Sequence, residues 1–154
     1  MKFVLFTSVL VAIASAGKVT CSADLAKAAL NLNAAKAEID AAAKNCIIGR
    51  VSKCTANLAA AKVDLLEANT AVVKMDVDCA GSIQACSDDI VKLETHLNQT
   101  IGDIQGAIDN CFGNPILCTN NVVQAGVDIT ATIEGLVSAT NDCSPPTAEA
   151  FLLQ

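Results

Sequence analysis

The stretch CSADLAKAALNLNAAKAEIDAAAKNC, residues 21–46, decides the fold, because its plan recurs three more times. The eight cysteines fall at positions 21, 46, 54, 79, 86, 111, 118 and 143, so 25 residues separate the two that bound each unit. Only seven, six and six residues lie between units. Within a unit, offsets 4, 11 and 18 from the first cysteine carry large aliphatics: Leu25, Leu32 and Ile39 in the first, Val122, Ile129 and Leu136 in the last. Offsets 7, 14 and 21 carry mostly small residues, such as Ala28, Ala35 and Ala42. Steps that alternate between four and three are the seam of a helix that packs on another helix.

Twenty-five residues come within about 20° of seven full helical turns, so both cysteines of a unit lie on the seam, roughly 37 Å apart. They cannot bond to each other. Each bonds at its own end of a bundle. Four such helices joined by tight turns run up, down, up, down. The expected boundaries are Thr20 or Ser22 as first cap, Gly49 as a left-handed stop, Ser52 as second cap, Gly81 and Ser82 at the next turn, and Gly113 followed by Asn114-Pro115. Ser144-Pro145-Pro146 stops the fourth helix.

The units are not equivalent. The first and third share ten identities in 26 and the second and fourth share nine, whereas the second and third share three. The repeat is therefore a duplicated helical hairpin, residues 21–79 and 86–143. The up-down course puts Cys46, Cys54, Cys111 and Cys118 at one end and Cys21, Cys79, Cys86 and Cys143 at the other. Self-contained hairpins give Cys46–Cys54, Cys21–Cys79, Cys111–Cys118 and Cys86–Cys143. A rival pairing keeps the two short bonds and joins Cys79–Cys86 and Cys21–Cys143 instead.

Residues 1–16 read as a signal peptide: Lys2, an apolar run over 3–13, then Ala14-Ser15-Ala16. The run is too short to span a membrane. Residues 17–143 form the helical domain and 144–154 a tail without pattern. An even cysteine count behind a leader implies disulfides in an oxidising, extracellular compartment. No CxxC occurs and the sole histidine is His96, so no metal and no cofactor are expected.

Net charge is −6, and −7 without Lys2. Residues 17–79 hold eight basic and seven acidic side chains, whereas 80–143 hold one, Lys92, against eight acidic. With no run of cations, nucleic acid is excluded and anionic membrane surfaces are disfavoured. There is no Gly-x-Ser-x-Gly, His-Glu-x-x-His or phosphate loop, and no enzyme is expected.

Three surfaces stand out. Offsets 3, 10, 17 and 24 are polar in every unit, for example Asp24, Asn31, Glu38 and Asn45, and read as a solvated ridge. Asp76, Asp78, Asp88 and Asp89 flank one turn without a calcium-loop pattern, and read as surface charge. Helices 2 and 4 carry a second apolar flank, which either cements the hairpins together or meets an apolar ligand in a cavity lined by Leu66, Val73, Ile133 and Val137. Asn98-Gln99-Thr100 is a glycosylation sequon, with Asn98 on an outer position and Thr100 on the seam.

A leader, paired cysteines bounding Ala-rich helices over residues 21–143, and an acidic balance resemble the insect secreted proteins with a TsetseEP-type domain. The Glu-Pro repeat tail of that family's name-giving members is missing; Pro145-Pro146-Thr147-Ala148-Glu149 is no repeat. The resemblance implies an extracellular, gut-lumen or body-fluid protein without established chemistry, and transfers no functional residues. The expectation is a secreted, monomeric binding or structural protein with an unknown partner; the alternative is a carrier of a lipid-like molecule between the hairpins.

Overall fold

A computed structural model describes the backbone of residues 2–79 and 83–143 and the side chains from residue 20 onward within those spans. It is a bundle of four antiparallel helices: α1 (Lys2–Ile47), α2 (Val51–Asp78), α3 (Gln84–Asn110) and α4 (Pro115–Cys143). Helix α1 packs on α2 and α4, and α3 packs on α4 and α2, so α1/α3 and α2/α4 are the diagonals. Helix α1 runs without a break from Lys2, so Thr20 and Ser22 lie inside that helix instead of capping it.

The core is the seam. All 24 seam positions are 5% exposed or less. Alanine at alternate positions of α1 lets it approach its neighbours closely, with Ala28, Ala35 and Ala42 fully covered. Thr100 and Thr132 sit in the same layer, and their hydroxyls donate to the carbonyls of His96 (2.9 Å) and Asp128 (2.7 Å). That local bond satisfies each hydroxyl, so it is buried without an orphaned donor.

Gly49 adopts φ +78° and lets the Arg50 N–H reach the Asn45 carbonyl at 2.9 Å, ending α1. Helix α2 then starts from Arg50, with the Cys54 N–H bonded to the Arg50 carbonyl, so Ser52 falls in the first turn and is not the cap. Before α4, Asn114 Oδ1 accepts from the Leu117 N–H at 3.1 Å, with Pro115 at the first helical position. Gly81, Ser82 and the tail 144–154 lie outside the described residues.

Candidate functional site

Four disulfides link the helices: Cys21–Cys79, Cys46–Cys54, Cys86–Cys143 and Cys111–Cys118, with Cα separations of 4.7 to 5.1 Å. Each hairpin is thus closed covalently at both ends, and no disulfide joins one hairpin to the other. The sulfurs of Cys46, Cys54, Cys111 and Cys118 lie within 4.8 Å of one another, so the two short bonds touch. At the far end Cys79, Cys86 and Cys143 are equally close.

The polar ridge is only partly solvated: Asp24, Asn31 and Ala71 are buried and its other positions are half-buried. In each hairpin it forms the contact between the two helices, rung by rung. Asp24 faces Asp78 and Asp89 faces Asp142 in the first rungs. Glu38 and Asp64 are neighbours in hairpin 1, as Asp103 and Asp128 are in hairpin 2. In the last rung of hairpin 1, Asn45 donates to Asn57 at 2.9 Å, and Asn57 in turn donates to Glu38 at 2.8 Å. Asp24 and Asn31 are 7% and 8% exposed. The small residues of the seam draw the paired helices so close that the flanking positions meet, whatever their polarity.

Carboxyls facing carboxyls change their acidity. Burial, then the hydrogen bond and charge of Asp78, lift Asp24 to about 6. Burial and Asp128 lift Asp103 to about 7. The hydrogen bond with Asp142, then burial, raises Asp89, and burial with Glu67 and Glu38 raises Asp64. Asp24 Oδ2, Asp89 Oδ2 and Asp103 Oδ2 are buried without a donor from the protein. Each belongs to a rung with a second carboxyl, and in acid a proton on one of the pair can be donated to the other. The fourth such atom, His96 Nδ1, lies on the same flank.

A fifth pair bridges the hairpins. A hydrogen bond with Asp76, then burial, lifts Glu94 to about 7. Several turns further along α2 and α3, Lys62 Nζ donates to Gln105 at 2.6 Å. The carboxylates at the α2–α3 turn do not converge on a common point: Asp76 turns to Glu94, Asp78 to Asp24 and Asp89 to Asp142.

The apolar flanks of α2 and α4 do not hold the hairpins together. Leu66, Val73 and Val137 are about half exposed, and Ile133 is half-buried against the core. Because even-numbered helices of an up-down bundle are diagonal, the four residues are not brought to one place. Ala29, Ala43, Ile101, Ile108 and Ile133 are instead half-buried against the core. Asn98 is exposed, while Thr100 of its sequon is fully buried.

No helix among the described residues is long and apolar enough to cross a membrane. Comparison with protein-family models, curated proteins and solved structures finds no match.

Proposed function

We propose that the chain is exported with removal of residues 1–16 and works in an extracellular fluid or gut lumen as a disulfide-stapled binding or structural protein, without a catalytic step. The observation that carries this reading is the complete use of cysteine: none of the eight is free, and both hairpins are closed at both ends. Such a framework suits an oxidising compartment. It also suppresses the local opening on which proteases depend. The resemblance to insect secreted proteins points the same way.

The test is secretion from an animal-cell host followed by trypsin. The mature chain is expected to begin at Gly17 and to survive while oxidised, although it holds nine lysines and arginines. Reduction is expected to expose those sites to rapid cleavage. Retention of residues 1–16, or equal cleavage of oxidised and reduced protein, would overturn the reading.

A further inference from the structure

Two turns meet at the end of the bundle that carries the cysteine quartet. Between them they present Ile47, Ile48, Phe112, Ile116 and Leu117, which are 66%, 62%, 75%, 76% and 41% exposed. Each lies within two residues of a cysteine of the quartet, whose sulfurs are within 4.8 Å of one another, so the five are gathered at this end of the bundle. Exposed apolar residues scattered singly mean little, but several gathered at one end mark a surface that meets something.

The charge around these five is selective. Lys44, Arg50 and Lys53 are exposed at the same end, and none of them is in an ion pair with a described residue. The carboxylate within a turn of the five is Asp109, which accepts from Gln105 at 2.9 Å. The opposite end holds Asp24, Asp76, Asp78, Asp88, Asp89 and Asp142 against Lys27, Lys74 and Lys92. A chain of net charge −6 therefore carries its apolar tip on its cationic end. Read along the chain the cations form no patch; folding gathers three of them.

The turns also keep their own backbone bonds. The Gly49 N–H bonds to the Cys46 carbonyl at 3.1 Å, Arg50 to Asn45 at 2.9 Å, and Asn114 to Asn110 at 2.7 Å. Backbone groups satisfied internally are a requirement for entering an apolar phase. The two short disulfides beneath hold these turns in place.

We infer that this end of the bundle docks on anionic lipid surfaces, with Phe112, Ile116 and their neighbours entering the acyl boundary and Lys44, Arg50 and Lys53 meeting the headgroups. The inference rests on the reading above that the chain acts by binding, and names the partner.

The experiment is vesicle flotation of the oxidised, secreted protein. The probes are vesicles of phosphatidylcholine alone and of phosphatidylcholine mixed with phosphatidylserine. The wild type is expected to float with the mixed vesicles and to be released by high salt. Phe112→Asp with Ile116→Asp is expected to weaken flotation at least about tenfold, since a charge on an inserted side chain opposes burial. Val77→Asp, an equally exposed change at the opposite end, is expected to leave it intact. Lys44→Gln, Arg50→Gln and Lys53→Gln together are expected to abolish the preference for phosphatidylserine. A wild type that floats with neither vesicle, or a Phe112→Asp/Ile116→Asp variant that floats as well as wild type, overturns the inference. So does a tip-to-tip dimer by light scattering that the same variant dissolves while neither form floats. Trypsin resistance is read on every variant, so loss of docking and loss of the stapled fold are told apart.

Discussion

Cys54 Sγ lies 3.8 Å from Cys111 Sγ, although the two belong to different disulfides and different hairpins. A thiolate formed at either bond therefore has a foreign sulfur within reach, and exchange needs little movement of the helices. Oxidised protein should map as Cys46–Cys54 and Cys111–Cys118. On exposure to a trace of thiol at alkaline pH, a Cys54–Cys111 peptide should appear before any other scrambled species. Peptide mapping by mass spectrometry after acid quench reads this directly, and a first scrambled product from any other pair would refute it.

The two kinds of staple differ in what they hold. Cys21–Cys79 closes 58 residues of chain and Cys46–Cys54 closes eight. The chain-entropy model assigns about 4 kcal/mol to the long bond and about 2.5 kcal/mol to the short one. Replacing both cysteines of the long bond by alanine should lower the melting temperature by roughly 10 to 15 °C, and of the short bond by roughly 6 to 9 °C. Thermal unfolding followed by circular dichroism decides the order; a larger loss from the short bond contradicts it.

Stability should fall as pH rises. A carboxyl that holds its proton more tightly folded than unfolded favours the fold in acid, with its contribution complete below its unfolded value and lost as pH climbs through its folded one. For Asp24 the limits are 3.8 and about 6, and for Asp103 they are 3.8 and about 7. For the well-covered Asp24 the preference is on the order of 2 to 3 kcal/mol. The melting temperature should therefore decline between pH 4 and pH 7. Asp24→Asn offers Asp78 a permanent donor, so it should raise the melting temperature at pH 8 by roughly 3 to 5 °C and flatten part of the profile. A wild-type profile that rises across this range sinks the shared-proton account.

Acid should also tighten the seam between hairpins. Glu94 and Asp76 are on α3 and α2, and their pairing raises Glu94 to about 7. Hydrogen exchange of amides along the α2–α3 contact should slow on going from pH 8 to pH 6, after correction for intrinsic rates. Glu94→Gln should remove most of that change. Exchange in the variant that still tracks pH as in the wild type counts against a role for this pair.

Glycosylation at Asn98 has a set order. Thr100 is fully buried and its hydroxyl bonds to the His96 carbonyl, so the sequon is hidden once the bundle forms. The glycan should be added before folding and then sit on the exposed Asn98. Protein secreted from animal cells should lose mass on treatment with an N-glycanase, and Asn98→Gln should match the treated mass. An untreated wild type with the bare polypeptide mass excludes it.

The seam was legible because a period of three and four residues survives in every unit, and Leu32, Leu65, Leu97 and Ile129 are all fully buried where that period puts them. The ridge was misread for a physical reason. Polarity alone assigns Asp24 and Asn31 to solvent, but backbone approach through small seam residues is a property of two helices together. No single helix displays it. The apolar flanks of α2 and α4 were legible as flanks and not as surfaces, since facing partners depend on which helices are diagonal. The tip went unseen because Ile47, Ile48, Phe112, Ile116 and Leu117 come from two turns more than sixty residues apart; adding the turns that share an end would have exposed it.

The absence of any disulfide between the hairpins gives the strand of chain after Cys79 a disproportionate role. Cut once there, the molecule would keep all four of its disulfides and yet become two separate polypeptides. What had been a question of stability would turn into one of affinity, governed by dilution. A single nick by a protease would convert a protein that resists unfolding into a heterodimer that can exchange halves.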